Sequence, residues 1–318
     1  MRISHDVGKS VYLRLTVAQD SRGNFHTVQQ AIDSIPENNT TPVEIFIKNG
    51  VYKERITIPK DKPFITLIGE SVESTILTYD NHAKLPTSEG GIIGTGKSAS
   101  VYLYANDFTA KNLTMENSFN PKRLSGETQA VAVYASGERM SFYHIRFLGN
   151  QDTLYVGSGT QYFNQCYIEG DIDFIFGGAR AVFEECEIFS LDRGSDIDNG
   201  YISAASTPID EPFGFLFINN RFTSSAPAGT VYLGRPWHPG GDPNAIASVV
   251  FKNNYLGPHI HPEGWTDMSG FSAKEARFYE YQNEGPGANP SRPQLTDEEA
   301  KEFTVEHVLK GWIPEANR

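Results

Sequence analysis

The sequence predicts an all-β fold, a parallel β-helix, because three features recur in phase along its central part. The first is a Phe followed five positions later by a large apolar residue. It occurs as Phe108/Leu113, Phe142/Phe147, Phe163/Ile168, Phe183/Ile188, Phe217/Phe222 and Phe251/Leu256. Successive Phe residues are 34, 21, 20, 34 and 34 positions apart. Repeats of this length with strand-forming anchors are typical of solenoids, in which each coil packs on its neighbours.

Pairs of aspartates and cysteines are the second and third features. Asp152 and Asp173 each lie 10 residues after a repeat Phe, and Cys166 and Cys186 each lie three residues after one. Each pair should therefore occupy the same place on two consecutive coils, about 4.8 Å apart. For the cysteines this spacing is compatible with a disulfide, and equally with two small apolar residues in a buried stack.

Composition and charge narrow the class of protein. The 318 residues are read as one solenoid domain, 1–318, with both ends capped, so we expect a monomer. A net charge of −12 without a basic cluster argues against nucleic acid and against tight binding of a fully ionised polyanion. The longest apolar runs are a few residues, so no membrane span is expected. The first six residues contain no apolar segment typical of a signal peptide.

The elements follow in order along the chain. Residues 11–19 alternate as a strand, and a capping box at Thr27–Gln30 opens a helix over about 27–35 that should cover one end of the solenoid. Coils are expected over about 43–257, with longer loops near 118–128, 192–212 and 224–244 forming the wall of a cleft. The tail, about 285–318, should contain one helix beginning at Thr296, with Ala300, Phe303 and Val308 packed along the solenoid.

The stacked aspartates are the main candidates for chemistry. Two carboxylates at short range do not share one proton affinity: repulsion raises the pKa of one, which leaves a protonated acid beside an ionised base or nucleophile. Two alternatives remain open at this point, solvated surface groups and calcium ligands together with Asp171. Gln151 and Gln129 would add amide donors able to stabilise an oxyanion.

Arg235 and Trp237 lie where a strand enters a Pro/Gly-rich loop. A guanidinium there could hold Asp173 ionised and oriented, and the indole could stack on a sugar ring or simply anchor the loop. The chain contains no Gly-x-Ser-x-Gly stretch and no phosphate-binding or dinucleotide fingerprint. His259 and His261 lie in a Pro/Gly loop, and the other histidines lack the spacing of metal ligands.

Taken together, five motifs resemble those of the pectin methylesterases, the carbohydrate esterases that demethylate galacturonan. They are Gly50-Val51-Tyr52-Lys53-Glu54, Gln129-Ala130-Val131-Ala132, Gln151-Asp152-Thr153-Leu154-Tyr155, Asp173-Phe174-Ile175-Phe176-Gly177 and Leu233-Gly234-Arg235-Pro236-Trp237. The resemblance continues to the Gly285-Pro286-Gly287 turn and the terminal helix. It implies a right-handed parallel β-helix, in agreement with the repeat.

The resemblance also implies roles for individual residues. Asp173 would attack the C6 ester of methylated galacturonate, Asp152 would act as general acid and then base, Gln129 and Gln151 would hold the oxyanion, and Arg235 would orient Asp173. The substrate-binding residues implied are Trp237, Tyr155, Phe176, Arg193, Ile172 and Thr95, with Arg193 suited to a neighbouring free carboxylate. Pectin or its oligosaccharides would be the partner, and no metal or organic cofactor would be needed. The substrate would place the protein outside the cell, whereas the lack of a signal-peptide pattern in the first six residues leaves a cytoplasmic location as the alternative.

Three alternatives remain. A pectate lyase or polygalacturonase on the same fold would use a calcium-binding acidic cluster with a base, or two or three acids around water. A divergent relative could act on another ester or on a thioester. A carbohydrate-binding β-helix would bind sugar without turnover and would not need Asp173.

Overall fold

The computed structural model describes residues 2–4 and 12–317 and forms a parallel β-helix whose strands all belong to one hydrogen-bonded system. The strands are β1 Arg2–Ser4, β2 Tyr12–Val17, β3 Val43–Ile47, β4 Gly50–Lys53, β5 Ile56–Ile58, β6 Ile65–Gly69, β7 Thr75–Tyr79, β8 Val101–Leu103, β9 Thr109–Asn117, β10 Val133–Leu148, β11 Leu154–Asn164, β12 Tyr167–Gly170, β13 Ile172–Gly177, β14 Arg180–Glu184, β15 Glu187–Ser190, β16 Gly200–Ala205, β17 Phe215–Ile218, β18 Arg221–Ser224, β19 Val231–Gly234, β20 Ser248–Lys252, β21 Tyr255–Leu256 and β22 Arg277–Tyr281. The helices are α1 Val28–Asp33, α2 Asp297–Ala300 and α3 Val305–Val308. Short 3-10 turns cover Thr95–Lys97, Pro121–Arg123, Pro239–Gly241, Ala273–Glu275 and Glu315–Asn317.

The Phe repeat sets the register of the central coils. Phe142, Phe163, Phe183, Phe217 and Phe251 pair in succession across parallel strands. Their rings stack inside the solenoid with centroids 4.6, 4.7, 4.8 and 4.6 Å apart. These separations equal the spacing of paired strands, so each ring packs directly on the ring of the next coil.

The first predicted repeat is wrong by two residues. Ala110, not Phe108, pairs with Phe142, and Met115, not Leu113, pairs with Phe147. Phe108 is nevertheless buried and packs on Phe142 at 5.8 Å with its ring tilted. Because alanine leaves the stacking position of this coil nearly empty, a Phe from two residues earlier can fill the space.

Two positions after each of the five stacked Phe residues, from Phe142 to Phe251, a residue with left-handed backbone conformation bends the chain. These five residues are His144, Gln165, Glu185, Asn219 and Asn253, with φ between 52° and 58°. A single residue in this conformation redirects the backbone sharply. Each coil therefore turns a corner at the same place, and the next side chain points inward.

Asparagines and the two cysteines share this inward position. The Asn220 and Asn254 amides donate to the carbonyls of Phe183 and Phe217 on the preceding coil, at 2.8 and 2.9 Å. The Cys166 and Cys186 thiols make the corresponding contacts with the carbonyls of Phe142 and Phe163, at 3.4 and 3.5 Å.

Of the two alternatives left open for Cys166 and Cys186, the disulfide is not formed, since both cysteines are free and buried. In parallel register the two side chains point in the same direction, each toward the carbonyl of the preceding coil, rather than toward each other. Burial raises the pKa of the Cys186 thiol well above its ordinary value, so this group remains protonated.

Regular pairing extends beyond the predicted range 43–257 at both ends. Strand β2 pairs in parallel with β3, and β22 pairs in parallel with β20. Helix α1 follows the Thr27 capping box, and it buries Val28, Ala31 and Ile32 against the first coils. Val11, the first residue of the predicted opening strand, lies outside the described residues.

The tail contains two short helices where one was predicted. Thr296 forms the expected capping box with Glu299, but α2 ends at Ala300, and the Thr304 side chain caps a new helix, α3. Ala300 and Val308 are buried against Tyr162, Val182 and other side chains of the outer face, and Phe303 packs beside them. Arg318, the last residue of the predicted tail, lies outside the described residues. Within the described ranges no helix is long and apolar enough to cross a membrane.

Candidate active site

Asp152 and Asp173 occupy equivalent positions on adjacent coils. Leu154 pairs with Ile175 and Tyr155 with Phe176, so residues 21 apart lie side by side. The Asp152 amide donates to the Ile172 carbonyl at 3.0 Å. The aspartates are only 7% and 6% exposed, respectively, which contradicts the alternative that they are solvated surface groups.

Both aspartates adopt left-handed backbone conformations, with φ of 63° at Asp152 and 50° at Asp173. Asp tolerates this region better than most side chains, but it is sparsely populated outside glycine. Residues held there concentrate at sites with a function. Since the same conformation recurs on two consecutive coils, both carboxyl groups leave the backbone in the same way.

Arg235 fixes the Asp173 carboxylate from the loop after β19. Its Nε donates to Oδ1 at 2.8 Å and its Nη2 to Oδ2 at 2.6 Å, a bidentate pair. The guanidinium lies 3.9 Å from the centroid of the Tyr201 ring, and the Tyr201 hydroxyl donates to Asp198 at 2.8 Å. Arg235 thus has its own support, and both oxygens of Asp173 are oriented by it.

The two carboxyl groups differ in proton affinity. Burial, and then the nearby charge of Asp173, raise the pKa of Asp152 well above its ordinary value. Burial also raises the pKa of Asp173, but the hydrogen bonds and charge of Arg235 act against that rise. Among the residues described, no ion pair reaches the Asp152 carboxyl. A proton shared by the pair is therefore held by Asp152, and Asp173 is the ionised partner.

Gln151 and Gln129 flank the pair from adjacent coils. Gln151 is buried next to Asp152, and its carbonyl accepts from the Ala130 amide at 3.2 Å. This contact places Gln129, which is half-buried, on the coil beside Gln151. The Gln151 side-chain oxygen is buried without a hydrogen-bond partner in the described part of the chain.

Three predicted sugar-binding aromatic residues are brought together beside the aspartates. The Tyr155 and Phe176 rings are 4.3 Å apart, and Trp237 lies 6.1 and 5.7 Å from them, respectively. Gly177 follows Phe176 with φ 124°, and a Cβ there would lie 2.0 Å from the Val156 carbonyl oxygen. Only glycine allows the coils to approach this closely behind the aromatic cluster.

The cluster is longer than predicted. Tyr134 stacks on Tyr155 at 4.1 Å, and Tyr102 pairs with Tyr134 on the preceding coil. The sequence held a signal for Tyr134, which is 21 residues before Tyr155 and therefore in phase with Asp152 and Asp173. It held no periodic signal for Tyr201, because a loop lengthens the coil between Ile172 and its partner Tyr201.

A cavity of about 630 Å³, here named the side groove, opens next to the aspartates. Its lining includes Thr128, Gln151, Asp171 and Ile172, with walls formed by segments of 121–127 and 191–194. Ile172 and Arg193, both predicted to bind substrate, are among these residues, and the Arg193 guanidinium lies 3.9 Å from the Glu127 carboxylate.

Thr95 begins a 3-10 turn ahead of β8 and is half-buried. Within the described residues no hydrogen bond, ion pair or ring contact joins it to the aspartates, so its binding role stays a prediction.

The calcium alternative requires a cluster of ligand side chains. Over residues 2–4 and 12–317 no group of three or more His, Cys, Asp or Glu side chains has an arrangement that could hold a metal ion.

Comparison with known sequences identifies one family. The family model described as Pectinesterase matches residues 14–312. Pectinesterase 31 of Arabidopsis thaliana is 39% identical to the chain, over 90% of this chain and 89% of that protein. Pectinesterase A of Dickeya dadantii (strain 3937) is 38% identical, over 91% and 88%, respectively.

Solved structures agree. A pectin methylesterase crystallised in complex with a hexasaccharide superimposes with a TM-score of 0.89 at 37% identity, over 94% of this chain and 98% of that one. The pectin methylesterase from carrot gives a TM-score of 0.84 at 30% identity, over 97% and 95%.

Proposed function

The chain belongs to the pectinesterase family and is a carboxylic ester hydrolase; on that premise we propose that it removes C6 methyl esters from galacturonosyl residues of pectin through a covalent intermediate on Asp173. The observation that carries the proposal is the contrast between two buried carboxyl groups on adjacent coils. Asp173 is held by a bidentate arginine, whereas within residues 2–4 and 12–317 no cation forms an ion pair with Asp152, whose pKa burial raises.

The first half-reaction uses Asp173 as nucleophile. An ionised Asp173 oxygen attacks the ester carbon, and the electron pair of the C=O bond moves to the carbonyl oxygen. In this proposal the side-chain amides of Gln151 and Gln129 donate hydrogen bonds to this oxyanion. When the intermediate collapses, the C–O bond to the methoxy group breaks and Asp152 protonates the leaving oxygen, which releases methanol.

The second half-reaction reverses the role of Asp152. Now ionised, it takes a proton from water, and the hydroxide formed attacks the anhydride between Asp173 and the sugar carboxyl. Breaking the anhydride bond regenerates the Asp173 carboxylate and frees the galacturonate. Arg235 acts on Asp173 throughout, so it is a positioning residue.

The aromatic cluster and the side groove support a long polymeric substrate. Tyr155 and Trp237 are half-buried and pack on the buried Phe176, so their rings keep accessible surface for a sugar. The side groove lies next to the aspartates through Gln151 and Ile172. A related pectin methylesterase, 37% identical to this chain, has been crystallised in complex with a hexasaccharide, which supports an oligosaccharide or polysaccharide substrate for this chain.

Methanol release from highly methylated pectin tests the proposal. We expect release by the unmodified protein, a loss of at least about a thousandfold in Asp173→Asn, and about a hundredfold or more in Asp152→Asn. Asp196→Asn is the matched control, since it removes an exposed carboxylate from a nearby loop. Absence of methanol from the unmodified protein would reject the substrate, and near-normal release by Asp173→Asn would reject the nucleophile.

A further inference from the structure

The segment that carries Gln129 has no strand of its own. Residues 127–132 follow a 3-10 turn and precede β10, and none of them belongs to a helix or a strand. In the proposed mechanism Gln129 must nevertheless be placed accurately, because a donor stabilises an oxyanion only from about 3 Å. Contacts other than strand pairing must therefore hold this segment in place.

The backbone of the segment is hydrogen-bonded on both sides. The Gln129 carbonyl accepts from the Ala83 amide at 2.8 Å, and the Ala130 amide donates to the Gln151 carbonyl at 3.2 Å. Gln129 therefore lies between the loop formed by residues 80–98 and the coil of Gln151. Its position depends on how firmly that loop is attached to the segment.

The Asn117 side chain joins the loop to the segment. It is 3% exposed at the end of β9, and its Nδ2 lies 2.9, 3.2 and 2.9 Å from the carbonyl oxygens of Asn81, Ser98 and Val131, respectively. The first two carbonyls belong to the loop and the third to the segment. Its Oδ1 accepts from the Phe119 amide at 3.0 Å, so both ends of the side-chain amide are bound and its orientation is fixed.

The surroundings of Asn117 are buried. Ser98 is fully buried, and its Oγ accepts from the Val131 amide at 3.1 Å. The Val131 side chain is also fully buried, in the same cluster as Phe176 and Tyr102. Without the Asn117 amide the carbonyls of Ser98 and Val131 would each lose a donor inside the protein, which is costly. The loop and the segment would then be free to shift apart.

We infer that Asn117 is a positioning residue for Gln129: its side-chain amide holds the 127–132 segment on the loop of residues 80–98 and so keeps the Gln129 side chain where the oxyanion forms. The inference rests on the proposed function for the role of Gln129. Asn117 donates only to backbone carbonyls, so it acts through the segment and not on the substrate.

Steady-state kinetics of methanol release test the inference. Gln129→Ala should lower kcat about a hundredfold, since it removes one donor to the oxyanion. Asn117→Ala leaves that donor in the chain but lets it move, so we expect kcat to fall about tenfold. KM should change less than about twofold in both variants, because the oxyanion does not exist in the bound ground state.

The double variant with Asn117→Ala and Gln129→Ala distinguishes positioning from a general loss of structure. If Asn117 acts through Gln129, its removal costs nothing further once Gln129 is replaced. The kcat of the double variant should then equal that of Gln129→Ala within about twofold. A merely structural effect would multiply with the first and lower kcat about a thousandfold in total.

Asn254→Ala is the matched control. Asn254 is fully buried between β20 and β21, and its amide donates to the Phe217 carbonyl at 2.9 Å, away from the segment of Gln129. We expect a lower melting temperature and a kcat within about twofold of normal.

If Asn117→Ala does not fold, Asn117→Ser, which keeps a shorter donor, takes its place. We then expect a smaller fall in kcat and the same result in the double variant. An unchanged kcat in the Asn117 variant, an equal fall in Asn254→Ala, or full multiplication in the double variant would overturn the inference.

Hydrogen exchange of the protein without substrate separates this inference from the proposed function. We expect the amides over 129–132 to exchange at least about tenfold faster in Asn117→Ala than in the unmodified protein, and at the normal rate in Asn254→Ala. If the unmodified protein released no methanol but this difference were present, the positioning would stand and the esterase mechanism would fall. Unchanged exchange, with methanol release normal in the unmodified protein, would remove the positioning alone.

Discussion

Replacing Arg235 by lysine tests whether the geometry of the arginine, rather than its charge, orients the nucleophile. Arg235 donates two parallel hydrogen bonds to Asp173, at 2.8 and 2.6 Å, and its planar group lies over the Tyr201 ring. A lysine keeps the charge, but it cannot make both bonds in this fork geometry or stack in the same way.

The expected decrease in kcat follows from the number of hydrogen bonds to Asp173 that each variant loses. A hydrogen bond to a charged group contributes about 2 kcal/mol, and 1.36 kcal/mol corresponds to tenfold in rate. Losing one bond in Arg235→Lys should therefore lower kcat about 30-fold. Losing both, and the charge, in Arg235→Gln should lower it about a thousandfold.

The pH profile of methanol release provides a second readout. Burial raises the pKa of Asp173 and Arg235 opposes that rise. Without the arginine the pKa of Asp173 rises further, and because the nucleophile must be ionised, activity on the acid side is lost at higher pH than in the unmodified protein. Tyr201→Phe is the control, since it keeps the ring under Arg235 and removes only the hydroxyl bound to Asp198. A kcat of Arg235→Gln within threefold of normal, with an unshifted profile, would refute the reasoning.

Three further predictions concern stability. Burial lowers the pKa of His259 from 6.5 to about 4. As the pH falls from 6.5 toward 4, His259 binds a proton in the unfolded state but not in the folded state, so unfolding is favoured. At pH 4.5 the free energy of unfolding should therefore be lower by about 2.5 kcal/mol. Urea titrations at pH 7 and 4.5 should show this loss in the unmodified protein and not in His259→Gln; equal losses in both would contradict it. Phe217→Ala, which removes a ring stacked on both sides, should cost about 3–5 kcal/mol in the free energy of unfolding, whereas Phe189→Ala, at a half-buried position, should cost clearly less. Cys166 and Cys186 should react with a thiol reagent only after unfolding, and a lower melting temperature in the presence of reductant would instead indicate a disulfide.

The repeat made much of the fold predictable because stacking needs the same residue type at the same place. The Phe spacing from Phe142 to Phe251 gave the register, and through it the neighbouring aspartates. It failed at Phe108, where Ala110 occupies the stacking position. Residue type alone could not show which of two nearby apolar residues pairs across the strands.

The repeat could not predict contacts between residues that lie several coils apart in the sequence. Arg235 is 62 residues from Asp173, with inserted loops between; its place at the end of a strand suggested the contact, and the motif resemblance implied it. The sequence also left open whether Cys166 and Cys186 form a disulfide. Spacing places two side chains on adjacent coils, but only the backbone shows that both thiols point at carbonyl oxygens.

The arrangement of the site on the solenoid affects how the protein loses activity on heating. Gln129, Asp152, Asp173 and Arg235 belong to coils in the middle of the chain, around β10 to β19, and the first coils, β2 to β7, carry none of them. In solenoids each coil is stabilised mainly by its immediate neighbours, so the terminal coils can melt before the central ones. On heating, hydrolysis should therefore persist after the spectroscopic signal of the strands begins to fall. Activity should be lost only when the middle coils melt.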